Sequence, residues 1–205
     1  MKIHRIAFAA ATLALAVPLA VNSQSSTPAC DAALKAAAPK VRLTTSMGNI
    51  VVQLDHEKAP VSTENFVKYV ASGHYDGTVF HRVIDEFMIQ GGGLSKEMTE
   101  KRTAFAPIRN ESANGLKNDP YTLAMARTAH PDSATAQFFI NSKANDFLNN
   151  TGPGTGYAVF GKVVEGKEVV DKIRKVKVEK TSYSEATPLQ PIVITKAECI
   201  APAAK

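Results

Sequence analysis

The chain has 205 residues, 44% of them hydrophobic and 21% charged, which suits one large domain or two small ones and excludes a disordered chain. Two Cys cannot build a disulfide-rich scaffold or a four-thiolate zinc site, and 12 Gly and 11 Pro exclude a collagen-like or Pro-rich chain. A formal charge of +5 is mildly basic and does not by itself mark a nucleic-acid binder.

The chain opens on Lys2 and Arg5 without an acid, followed by the apolar run Ile6 to Ala20 (IAFAAATLALAVPLA). That run is shorter than the roughly 20 residues a bilayer span needs. A basic start, a short apolar run and small residues behind it predict a cleavable signal peptide over residues 1–23. Its removal takes the formal +5 to +3, because Lys2 and Arg5 leave with it, and weakens any nucleic-acid role further. Residues 24–40 (QSSTPACDAALKAAAPK) are small, polar and Ala-rich and read as a linker, with a short helix at Asp31 to Ala38. The folded domain is expected from Val41.

Alternation of apolar and polar residues over Val41 to Ser46 and Asn49 to Asp55 predicts a hairpin around Met47-Gly48. Ala59-Pro60 starts a helix that Ser62 or Thr63 caps, with Phe66, Val67 and Val70 as its apolar face and Gly73 at its stop. Thr78 to Ile84 and Phe87 to Gln90 are short strands, the second broken by Gly91-Gly92-Gly93. Residues 94–120 read as a long surface loop. Thr122 to Ala126, Ala136 to Asn141 and Tyr157 to Val164 are strand-like. Val169, Val170, Ile173 and Val176 repeat at helical spacing within Gly166 to Val176, and Ile192 to Thr195 closes the chain as a strand. Many short strands and two helices predict a mainly β barrel or sandwich.

No GxSxG, HExxH, CxxC or GxxxxGK[ST] motif occurs, and His56, His74, His81 and His130 lack metal-ligand spacing. The informative stretch is FHRVIDEFMIQGG, residues 80–92. Alternation puts Phe80, Arg82 and Ile84 on one strand face. Phe87 and Met88 add apolar groups and Gln90 an amide. Met125-Ala126-Arg127, the run Ala136 to Ile140 with Gln137 and Phe139, and Asn145-Asp146-Phe147-Leu148 add more of both kinds. Together they describe an apolar pocket with a guanidinium and two amides at its rim. From pattern alone the same Phe and Met residues also read as core, and the Arg as an ion-pair partner.

FHRVI-x-x-FMIQGG, LAMAR, SATAQFFIN and NDFLN stand in the order and spacing of the cyclophilins, and between Val41 and Thr195 the chain resembles that family of peptidyl-prolyl cis-trans isomerases. The resemblance implies a closed eight-stranded antiparallel barrel with a helix over each open end, spanning 41–199, with 200–205 as a tail. It implies that Arg82 is the catalytic arginine and that Phe87, Met88, Phe139 and Leu148 line a proline pocket. Gln90 and Gln137 would bind peptide backbone. Ala126, Arg127 and Thr128 would form the groove for residues before the proline, with His81 beside the site. Phe147 and Tyr157 stand where many eukaryotic members have Trp and His; both keep an aromatic wall, and cyclosporin binding is expected to be weak. No metal or other cofactor is implied. The partners expected are proline-containing unfolded or folding polypeptides bound by a monomer, without nucleic acid or, once the signal is removed, membrane. The alternative is a chaperone module that holds proline-containing segments, with isomerisation incidental. GLKND and the absence of Trp look like the bacterial single-domain branch, and APAAK is no ER-retention signal, so the periplasm is the expected location. In an oxidising compartment two thiols tend to pair. The implied barrel brings its first and last strands together, which makes Cys30 and Cys199 a disulfide candidate; two unpaired thiols at frayed ends are the alternative.

Overall fold

The computed structural model describes residues 27–36 and 38–201. The expected signal segment and the end of the tail lie outside the described residues. The elements in chain order are α1 (Pro28–Leu34), β1 (Lys40–Thr45), β2 (Gly48–Leu54), α2 (Pro60–Ala71), β3 (Thr78–Ile84), β4 (Met88–Ser95), β5 (Thr122–Met125), β6 (Phe138–Asn141), β7 (Val159–Glu165), α3 (Lys167–Arg174), β8 (Val178–Glu179), β9 (Thr187–Pro188) and β10 (Val193–Ile200). A single 3₁₀ turn, Asp146–Leu148, lies between β6 and β7.

Eight strands close into an antiparallel barrel in the order β1-β10-β3-β4-β6-β5-β7-β2, and β8 and β9 form a separate ribbon. Closure follows from the pattern. Successive side chains point to opposite faces, so one face of every strand can be turned into a shared interior, and joining first strand to last removes the exposed edges. Inside lie Leu43, Ile50, Val52, Phe80, Val83, Ile89, Leu123, Met125, Phe138, Ile140, Phe160 and Ile194, in one cluster with Phe66, Tyr69 and Val70 of α2 and Val169, Val170 and Ile173 of α3. A smaller cluster, Met88, Ala124, Phe139, Leu148 and Val159, takes the intervening positions. Ile89 is inside and Met88 outside; Phe138 and Ile140 are inside and Phe139 outside. The period of two thus builds a core on one face and a second apolar surface on the other.

Several local features depart from the sequence reading. Residues read as a linker are folded: α1 begins at Pro28, whose missing N–H costs nothing in a first turn, and it buries Cys30 and Ala33 against β10 and α2. The short helix expected at Asp31 to Ala38 thus forms three residues earlier, as a third helix beside α2 and α3. The glycine triplet does not end its strand. β4 continues to Ser95, and the ladder with β3 jumps from Thr78↔Ser95 to Phe80↔Gly91, so the extra residues are taken up as a bulge in which Gly92 has φ 84°. Neither Ser62 nor Thr63 caps α2. The carboxylate of Glu111, from the long loop, accepts the N–H groups of Val61 (3.0 Å) and Ser62 (2.8 Å) and the Ser62 hydroxyl (2.7 Å). A remote acid at a helix N-terminus satisfies the same orphan donors as a local cap and complements the dipole. β10 runs five residues past Thr195, to Ile200, because it pairs along β1 from Thr45↔Ile194 to Lys40↔Ile200.

A disulfide joins Cys30 to Cys199, with Cα atoms 5.1 Å apart and a sequence separation of 169. It ties α1 to the strand that pairs with β1. Closing a loop of that length stabilises by up to about 5 kcal/mol in the chain-entropy account, and 2–4 kcal/mol is typical. A Cys30→Ala/Cys199→Ala variant is therefore expected to unfold at lower urea concentration, by on the order of 2–4 kcal/mol. Matching midpoints for oxidised wild type and variant would show that the bridge does not stabilise the barrel.

Candidate functional site

The site lies on the outer apolar surface of the barrel, and a second irregularity in β3 creates it. Phe80 pairs with Gly91, but Arg82 pairs with Gln90, one residue short of regular spacing, so β3 carries an extra residue at His81. In regular alternation Phe80, Arg82 and Ile84 would share a face, as the sequence predicts. The bulge separates them. Phe80 joins the interior with Phe138, while Arg82 and Ile84 turn outward beside Gln90 and Met88.

Around Arg82 is a cavity of about 160 Å³ lined by Phe87, Met88, Gln90, Ala126, Arg127, Phe139, Leu148 and Tyr157. Met88 and Gln90 come from β4 and Phe139 from β6, side by side in the barrel. Leu148 ends the 3₁₀ turn. Three buried amides hold that turn in place: Asn145 donates to the Phe87 carbonyl (2.8 Å) and the Asn141 side chain (2.7 Å), Asn141 donates to Asn118 (3.1 Å), and Asn118 donates to the Leu148 carbonyl (3.2 Å). Tyr157 precedes β7 rather than belonging to it. Its ring meets Phe139 edge-on at 5.7 Å, and the Arg127 guanidinium lies over it at 4.6 Å. Arg127 is itself fixed by donating to the carbonyls of Gly156 (3.0 Å) and Thr128 (3.0 Å).

Four predicted residues are not in the cavity wall. Gln137 stands behind Gln90 and accepts its amide N–H at 2.9 Å. It lies against Gly93, where a Cβ would come within 2.5 Å of its amide carbon, so that glycine leaves room for the side chain. Thr128 belongs to the neighbouring turn, its hydroxyl on that of Ser133 at 2.8 Å. Phe147 is 73% exposed and stacks on Phe87 at 5.5 Å, extending the wall outward. His81 is buried, and its Nδ1 has no hydrogen-bond partner among the described residues.

The guanidinium of Arg82 has a partner that sequence reasoning missed. Its Nε and Nη2 both donate to one oxygen of Glu185, at 2.9 and 2.7 Å. Its Nη1 lies 3.9 Å from the Met88 sulfur, and its centre is 5.6 Å from the Phe87 ring centroid. Hydrogen bonding to Arg82 holds the Glu185 carboxyl below its usual range. Glu185 sits 103 residues from Arg82 in a polar stretch without a motif, so only the fold brings them together. Among the described residues no cluster of three or more His, Cys, Asp or Glu could hold a metal ion.

The family model for "Cyclophilin type peptidyl-prolyl cis-trans isomerase/CLD" matches residues 40–199. A peptidyl-prolyl cis-trans isomerase of Streptomyces antibioticus is 56% identical over 163 residues, covering 78% of this chain and 98% of its own. Peptidyl-prolyl cis-trans isomerase B of Escherichia coli K12 is 49% identical over 157 residues, covering 75% and 95%. The crystal structure of a Cryptosporidium parvum cyclophilin-type isomerase superposes with a TM-score of 0.66 at 27% identity, covering 80% of this chain and 99% of that one. A second crystal structure of it was obtained in the presence of the dipeptide Ala-Pro, with a TM-score of 0.65. The chain belongs to the cyclophilin-type peptidyl-prolyl cis-trans isomerases. It is an enzyme of the isomerase class, and its barrel is the cyclophilin fold.

Two buried histidines of this cyclophilin titrate low. Burial pushes His81 down to about 4, from 6.5, and lowers His74, whose Nε2 is 3.0 Å from the Gly92 carbonyl. A folded-state value below the unfolded one favours the neutral ring. The contribution is complete above pH 6.5 and is lost as pH falls from there toward 4. For His81 the loss between pH 7 and pH 5 is on the order of 2 kcal/mol. Urea unfolding at the two pH values should show this drop in wild type and a smaller one in His81→Leu; the same drop in both would assign the dependence elsewhere.

Proposed function

We propose that this protein accelerates rotation about X-Pro bonds in folding polypeptides, with Arg82 as the catalytic residue. An X-Pro bond isomerises over a barrier of roughly 18–20 kcal/mol and takes tens to hundreds of seconds unaided. The barrier is amide resonance, which is lost when the bond twists by a quarter turn. No nucleophile or acid–base pair is needed. In the twisted state the prolyl nitrogen regains its lone pair and becomes an acceptor, and a guanidinium N–H stabilises that state and not the planar ones. The observation that carries this proposal is the Nη1 edge of Arg82 at a pocket of Phe87, Met88, Phe139 and Leu148, with Nε and Nη2 engaged elsewhere. In it the apolar groups hold the ring and exclude water. Gln90, backed by Gln137, anchors the adjoining peptide, and Ala126, Arg127 and Thr128 border the residues before the proline. The Ala-Pro dipeptide used with the Cryptosporidium relative supports a proline-peptide ligand.

We further propose that the protein is exported to the periplasm. The basic-then-apolar start and the Cys30–Cys199 bridge support this, since such bridges persist in oxidising compartments. Recovery of a shortened, oxidised chain from the periplasmic fraction is the result expected, and a full-length reduced chain in the cytosol would overturn it.

In a protease-coupled assay on a proline peptide, Arg82→Ala should lower kcat/KM by about 10²-fold, the usual loss for one transition-state donor. Arg82→Lys should recover little, because an ammonium lacks the planar fork of donors. Circular dichroism should show both variants folded. A folded Arg82→Ala with wild-type turnover would leave a proline-binding module and no catalytic arginine. In the same assay cyclosporin should inhibit weakly and Phe147→Trp should strengthen it, because indole adds an N–H donor that Phe lacks. Equal potency against both forms would remove that role from position 147.

A further inference from the structure

We propose that Glu185 is a positioning residue for Arg82: by holding one edge of the guanidinium it presents the other to the pocket. The inference rests on the catalytic assignment of Arg82 and goes beyond it.

One oxygen of Glu185 accepts from Nε (2.9 Å) and Nη2 (2.7 Å) at once. Two bonds to one edge fix the rotation of the planar group about its Nε bond, which a single contact would not. The donor left toward the cavity is Nη1, beside the Met88 sulfur at 3.9 Å. The segment that delivers Glu185 is built to hold it. Thr181 N–H donates to the Ser184 carbonyl (2.8 Å), Ala186 N–H donates to the Ser184 hydroxyl (3.0 Å), and Val83 N–H donates to the Ala186 carbonyl (2.9 Å). The last bond fastens the residue after Glu185 to the residue after Arg82, so the two side chains leave adjacent backbone.

A purely stabilising role fits poorly. The pair is open to solvent, with the Glu185 side chain 55% exposed and that of Arg82 29% exposed. Exposed ion pairs contribute little to stability. An arginine side chain, by contrast, has much rotamer freedom to lose, and fixing it before substrate arrives leaves less to order in the transition state.

The test uses the mature protein with Glu185→Ala, Glu185→Gln and Arg82→Ala. Glu185→Ala should lower kcat about ten-fold with KM changed less than two-fold and an unchanged unfolding midpoint. Glu185→Gln, which keeps an acceptor oxygen, should recover most of that loss. In nitrogen-15 NMR, the Arg82 Nε–H resonance, identified by its absence in Arg82→Ala, should shift in Glu185→Ala and stay nearer its wild-type position in Glu185→Gln. If Arg82→Ala abolishes activity while Glu185→Ala keeps or raises kcat, the positioning role is wrong and the catalytic assignment stands. If Arg82→Ala itself retains activity, the catalytic assignment fails first. A Glu185→Ala loss carried in KM, or unrelieved by Gln, also overturns the proposal.

Discussion

The extra residue in β3 governs the site. Where one residue of β3 is unmatched across the ladder to β4, Phe80 stays inside the barrel and Arg82 goes outside, although the two are only two positions apart. Without the bulge, Arg82 would follow Phe80 into an interior filled by Phe66, Phe138 and Ile89, where an unpaired guanidinium would be prohibitively costly. With it, Arg82 and Gln90 become cross-strand neighbours on the outer face, and Met88 and Phe139 complete the floor. One side of the sheet supplies packing energy and the other is left to bind, so the demands of a dense core and of an open pocket do not compete for the same residues.

The outer face is held by polar contacts as much as by packing. Asn118, Asn141 and Asn145 are buried and linked to one another, and through the Phe87 and Leu148 carbonyls they fix both ends of the apolar wall. A buried amide left without partners costs about 1–3 kcal/mol, so such a chain has few alternative arrangements. Gln137 folded over Gly93 does the same for Gln90. Groups that line the cavity are thus oriented by groups that do not, so the cavity's shape is set before any ligand enters.

Much of this was legible in the sequence, and the failures share a cause. Alternation located the strands, Pro60 and Gly73 bounded α2, and the FHRVI to NDFLN motifs gathered the residues that line the cavity. What could not be seen were departures from regular period and contacts between distant segments. A two-residue period cannot announce a bulge, so Phe80 and Arg82 were assigned one face. Three glycines read as a strand break, while the barrel uses them inside β4 for a bulge and a close approach. The cap of α2 comes from Glu111, fifty residues from Val61, and the partner of Arg82 is Glu185; neither acid carries any local mark of its role. Ala-rich composition suggested a linker at α1, because the burial of Cys30 and Ala33 depends on β10, at the far end of the chain.

Closure of the barrel is what makes the bulge dependable. In an open sheet a strand can slip by one residue, and every side chain then changes face. Here β3 is paired on one side with β10 and on the other with β4, and each of those is paired in turn until the ring returns to β1. A slip in β3 would have to break its ladders to β10 and to β4 at once. β10 is held by its long register with β1 and by the disulfide from Cys199 to α1. Its short pairing with β3, Val193↔Val79 and Ile194↔Thr78, sits immediately before the bulged segment. The register that separates Phe80 from Arg82 is therefore set by the joined ends of the chain, and the position of the guanidinium depends on contacts at the opposite extreme of the sequence.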